Sequence, residues 1–99
     1  MPRIKTIKFS SIEELNIQLE SVNTPELAEE IFGAIKRGIK NNNKLVTVCK
    51  IKLEDEDEII KLQSSKEDWE TALNGCLKNF IKTEDYEKCS EIKQMIEKL

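Results

Sequence analysis

Three sets of residues in this chain could carry chemistry: the thiols of Cys49, Cys76 and Cys89, the five consecutive acids from Glu54 to Glu58, and lysines on strand-like segments. A thiol becomes a nucleophile or metal ligand as its thiolate, which needs a basic neighbour or a helix N-terminus. Each cysteine falls instead on an apolar stripe, and no two form a CxxC pair. Lys88 adjoins Cys89, but neighbours at i and i+1 do not face each other on a helix. The three read as small core hydrophobes. The sequence has no histidine, which removes the commonest general base, the Ser-His and Cys-His nucleophiles, and ordinary zinc sites. Adjacent carboxylates attract calcium or magnesium, yet Glu54–Asp57 lacks the bend glycine and distal bidentate Glu of an EF-hand, and reads as a solvated turn. No Gly-rich phosphate loop or paired-carboxylate cleft is present. The expectation is a protein that is not an enzyme and needs no cofactor or metal.

The lysines suggest binding. Lys50 and Lys52, with Lys5, Lys8 and Lys61 alongside, would make one sheet face basic. Phosphate contacts from such a face would hold nucleic acid with a steep salt dependence. No aromatic residues interleave with the lysines to stack bases, Phe9 being the one strand candidate. The plainer reading is a solvated or edge strand whose lysines discourage aggregation.

The elements that would position these groups follow from periodicity. Arg3–Phe9 reads as a short strand with Ile7 and Phe9 on one face. Ser10 and Glu13 have capping-box spacing, opening a helix lined by Ile12, Leu15 and Leu19 that ends near Ser21. Thr24 as N-cap and Pro25 at the first position open a second helix, with Leu27, Ala28, Ile31, Phe32, Ile35 and Ile39 along its buried side. Gly33 and Gly38 weaken that helix; they serve close packing, or Gly38 begins the helix end before Asn41–Asn43. Lys44–Leu53 is the clearest strand, with Leu45, Thr47, Cys49, Ile51 and Leu53 on one face and Val46, Val48, Lys50 and Lys52 on the other. Glu58–Gln63 returns as its hairpin partner. Ser64 and Glu67 then start a third helix, whose apolar face runs through Trp69, Leu73, Cys76, Leu77, Phe80 and Ile81. Thr83 caps a last helix, with Glu84 and Asp85 at its positive dipole end and Tyr86, Cys89, Ile92, Met95, Ile96 and Leu99 on its apolar side. Trp69 and Tyr86 read as packing residues. So little chain separates the last two helices that they should form an antiparallel α-hairpin.

Composition limits the rest. Ninety-nine residues make one domain, 1–99, able to bury a modest core. Hydrophobic residues are 38% and charged residues 35%, a mix that suits a folded domain with a charged surface. Net charge is −3, which disfavours a whole-molecule polyanion binder. Residues 1–52 carry nine basic against six acidic side chains (+3), and residues 53–99 seven against thirteen (−6). At this size the asymmetry reads as a by-product rather than a partner surface. No apolar run approaches the roughly 20 residues of a membrane span, no signal peptide is evident, and the cysteine pattern suits a reducing cytoplasm. The abundance of Lys, Ile, Glu and Asn is the composition of AT-rich coding sequence, as in a low-GC bacterium or a phage.

One segment resembles a known family. In "DYEKCSEIKQMIEKL" (Asp85–Leu99), Tyr86 is an aromatic after an acidic turn, followed by Glu87; Cys89 and Ser90 stand as a small pair; Glu91, Ile92 and Lys93 give an acidic-aliphatic-basic step; Ile96 and Leu99 close the apolar side. This resembles the UVR motif, the helical hairpin of the excision-repair proteins UvrB and UvrC, over about a fifth of the chain. Lys93 replaces the customary Arg, Gln94 the next acid, and the first helix matches poorly. The resemblance implies protein–protein contact by pairing with a like hairpin.

The reading is an α+β fold, a small antiparallel sheet of two or three strands with about four helices packed mainly on one face. Its expected function is a small non-enzymatic adaptor or regulator, phage-encoded if the composition is a guide. It would bind another protein or itself, as a homodimer, through Tyr86, Cys89, Ile92, Met95, Ile96 and Leu99. The alternative is nucleic-acid binding through Lys5, Lys8, Lys50 and Lys52.

Overall fold

The computed structural model describes residues 6–20, 25–55 and 57–99. Strand β1 (Thr6–Phe9) leads to helices α1 (Ile12–Glu20) and α2 (Pro25–Lys40), strands β2 (Leu45–Leu53) and β3 (Glu58–Ser65), and helices α3 (Trp69–Lys82) and α4 (Tyr86–Lys98). A single 3-10 turn, Lys66–Asp68, joins β3 to α3. The α+β class holds. The sheet order is β1-β2-β3, so β2 is central. β2 and β3 form the expected antiparallel hairpin, but β1 lies parallel to β2 and the sheet is mixed. The two intervening helices supply the crossover length that a parallel pair needs.

The simple alternation expected for β2 is corrected by a bulge. Thr47 pairs with Gln63 and Cys49 with Leu62, leaving Val48 extra. Val46 and Val48 are buried, and then Cys49, Ile51 and Leu53 are buried after them. Leu45 and Thr47 therefore share the outer face with Lys50 and Lys52, and Leu45 is exposed. A bulge lets two successive residues face inward, so this strand keeps five of its six apolar residues in the core.

The inner face of the sheet, with Ile7, Phe9, Val46, Val48, Cys49, Ile51 and Leu53, meets α2. α3 packs on α2, and α4 closes against both. Gly38 sets the closest approach. A Cβ there would lie 2.5 Å from Val46 Cγ1 and 2.8 Å from Trp69 Cη2. Trp69 is fully buried and its indole N–H donates to the Ser64 carbonyl at 3.1 Å. The thiol of Cys76 reaches the Ala28 carbonyl at 3.6 Å, tying α3 to α2.

Helix ends sit near the predicted places, with different caps. α1 is capped by Ser11, whose Oγ accepts from Glu14 N–H at 3.3 Å, while Ser10 donates through both its N–H and its hydroxyl to the Glu14 carboxylate. These bonds hold the Glu14 carboxyl below its usual pKa. Ser64 belongs to β3, and the side-chain bond at the third start runs from Ser65 Oγ to Asp68 at 3.1 Å. Thr83 closes α3, and Asp85 caps α4 by accepting from Lys88 N–H at 3.4 Å. α2 ends in a Schellman turn, with Asn42 left-handed (φ 58°), Asn43 N–H bonded to Gly38 O at 2.8 Å and Asn42 N–H to Ile39 O at 3.2 Å. α3 ends the same way on Glu84 (φ 61°). Arg3–Lys5 and Thr24, and the side chain of Leu19, lie outside the described residues.

Candidate partner-binding site

α4 is amphipathic because the chain needs it as a lid. Cys89, Ile92 and Met95 are buried against α3 and α2, and Ile96 is half-buried on the same core. Of the six residues expected to meet a partner, Tyr86 (64% exposed) and Leu99 (41%) remain open, at opposite ends of the helix. The apolar face is thus consumed within the chain, and Tyr86, expected to pack, does not. Ile81, assigned to the apolar face of α3, is also exposed, while Asn79 is buried there.

The seam between α2 and α4 is closed by charge. Lys88 pairs with Glu29 across it and with Asp85 at 3.3 Å; Lys36 pairs with Glu91 at 2.9 Å. The hydrogen bond to Glu29 is the main reason that the Lys88 ammonium titrates above its ordinary range, with burial opposing it. Beneath, Phe32 and Phe80 meet edge to face at 5.7 Å, with Lys36 Nζ 5.7 Å and Lys88 Nζ 5.2 Å over their rings. The cross-helix pairs ascend together in both helices, so α2 and α4 run parallel.

Towards the helix C-termini this ladder opens into a groove of about 410 Å³. Ile39 and Met95 lie in it, with Lys36, Lys40, Glu91, Gln94 and Lys98 around them. Lys40 and Lys98 have no ion-pair partner among the described residues. Their positions in the last turns suit the helix dipoles, and both line the groove, whereas the pairs nearer the helix N-termini each join a lysine to a carboxylate. Sequence reading missed Ile39, Lys40 and Lys98 as a site. Their signal was the basic last turn of each helix, which means little until the two helices are known to lie parallel.

All three thiols are buried. Burial raises Cys76 to about 12 and, with the charges of Glu30 and Glu26 adding, Cys49 to about 11. Among the described residues no group of His, Cys, Asp or Glu is arranged to hold a metal ion.

The outer face of the sheet is the second surface. Lys8 pairs with Lys52, and Lys50 with Lys61, in neighbouring-strand rungs. Lys8 and Lys61 are exposed; Lys50 and Lys52 are half-buried between neighbouring strands. Lys52 bonds Asp57 at 3.0 Å. All four of these lysines were expected to meet there, with Lys5 as the fifth; Lys5 lies outside the described residues. Phe9 is buried on the inner face and unavailable for stacking.

No protein-family model, curated protein or solved structure matches this chain. Among the described residues no helix is long and apolar enough to cross a membrane.

Proposed function

We propose that this chain is a small non-enzymatic protein-binding module whose docking surface is the C-terminal end of the α2–α4 seam. One observation carries the reading: beyond the ion pairs of the seam, Lys40 and Lys98, which have no ion-pair partner among the described residues, line a groove together with the apolar side chains of Ile39 and Met95. A partner helix bearing an acidic residue beside apolar ones would supply the missing carboxylate and cover the groove, in the manner of helix-in-groove recognition. The resemblance to the UVR motif favours protein contact at this hairpin. It does not favour pairing with a like hairpin, since Cys89 and Ile92 are already buried. Two copies pressed groove to groove would also bring lysines against lysines, so the occupant is a different, acidic chain.

The test is site-specific photo-crosslinking in the native host from Gln94, with Glu70 on α3 as the control position. The expected product is a single partner attached through an acidic amphipathic segment, lost in Lys40→Glu with Lys98→Glu. Equal labelling from Glu70, or capture that survives the double charge reversal, would remove the reading.

A further inference from the structure

We propose that the outer face of the sheet is a second, independent site, which binds the phosphate backbone of a nucleic acid without reading its bases. Lys50 and Lys61 are directly opposed in an antiparallel rung, and Thr6 flanks Lys50 from β1. Like charges placed opposite each other oppose folding. Neither has an ion-pair partner among the described residues. A protective role against edge pairing accounts for lysines on β1 or β3, but Lys50 and Lys52 are on the central strand, which has no free edge. The cost of the Lys50–Lys61 rung is therefore unrelieved among the described residues, and an anion laid across the strands relieves it.

The occupant follows from the surroundings. Among the described residues the face has no exposed aromatic ring, so base stacking is absent and backbone charge is what it can recognise. Acidic Glu54, Asp55, Asp57 and Glu58 bound it at the hairpin tip, and Asp57 already neutralises Lys52. The ligand accordingly crosses at the Lys50–Lys61 rung, with Lys8 to one side and the neutral Thr47 and Gln63, themselves joined at 3.4 Å, to the other. Lys8, Lys50 and Lys61, which have no ion-pair partner among the described residues, set the strength of the interaction.

The experiment is fluorescence anisotropy of the purified full chain with a short labelled DNA duplex, labelled oligothymidylate and labelled polyglutamate, across a salt series. Binding to the duplex should fall with a log–log slope of about −2.7, so that a fourfold rise in salt weakens it about 40-fold. Lys61→Glu should remove at least one unit of slope and leave the melting temperature unchanged or higher, because it turns a repulsive rung into an attractive one. Binding to oligothymidylate with a shallower slope fits the same backbone contact. The proposal fails if nothing binds at the lowest salt, if Lys61→Glu binds as the parent does, or if polyglutamate binds as tightly as DNA, which would make the face a site for acidic protein. Lys40→Glu with Lys98→Glu should leave DNA binding intact, so this proposal and the groove reading stand or fall separately.

Discussion

The two faces of the sheet come from the same three strands and treat disorder in their patterns differently. On the inner face the backbone gives way: β2 bulges at Val48 so that five apolar side chains reach the core. On the outer face the Lys50–Lys61 rung lies beyond the bulge in regular register, and it is the electrostatics that are left unfavourable, with Lys50 against Lys61. Burial is defended at the expense of hydrogen-bond regularity, while charge repulsion is left in place where water, or a ligand, can moderate it. The inner face carries stability and the outer face has room for function.

That contrast can be broken most directly at two adjacent residues of β2. Ile51→Ala should cost about 2–5 kcal/mol, because Ile51 is fully buried, whereas Lys50→Ala should be nearly neutral or stabilising. Urea midpoints at unchanged m-values separate the two. A similar cost at both positions would erase the distinction between the faces.

Alkaline pH should act on the inner face next. Cys49 and Cys76 have folded-state pKa values of about 11 and about 12, raised from 9. The unfolded chain loses these protons first, so stability is held below about pH 9 and falls as pH climbs towards the folded values, by up to about 1.4 kcal/mol per pH unit for each thiol. Cys49→Ala and Cys76→Ala should each flatten the stability-versus-pH curve in that range, whatever they do to its height. A curve unchanged in shape would mean that the thiols are not desolvated.

Smaller still is the response of the two glycines of α2. Gly38→Ala should lose about 1 kcal/mol net, the strain against Val46 and Trp69 outweighing the gain in helix propensity. At Gly33 an added Cβ meets only the mobile end of Arg37, at 3.3 Å, so Gly33→Ala should gain up to about 1 kcal/mol. Paired thermal melts give the two signs. The smallest effect belongs to the outer face: Lys61→Glu should raise stability by about 0.2–1 kcal/mol in low salt, and less as salt screens the rung.

Much of this architecture was legible because helices and strands announce themselves by period. The stripe Leu27–Ile31–Ile35, Pro25 at a helix start and the hairpin from Lys44 all stand where the pattern put them. What failed was local register. Both "SSIEE" and "SSKED" offer two serines and two acids, and tertiary packing selected the later serine in each. A bulge adds a residue without any composition signal, so Leu45 and Thr47 changed faces unannounced. The candidate surfaces were harder. An amphipathic helix looks the same whether its cover is internal or external, and only the packing of Cys89, Ile92 and Met95 decides it. Lys61 was visible as a strand lysine, but its opposition to Lys50 depends on hairpin register, and Lys40 with Lys98 on helices whose contact no local pattern encodes.

Trp69 gives the molecule its own optical reporter. It is the sole tryptophan, fully buried where α3 meets Gly38 and Val46, with its indole N–H held by Ser64 O. Its emission should therefore be blue in the native state and shift red as the helices leave the sheet. An anion settling on the far side of β2 should leave that colour unchanged. A titration that alters anisotropy of the ligand at constant tryptophan emission thus reports binding to an intact fold, and one that reddens the emission reports unfolding.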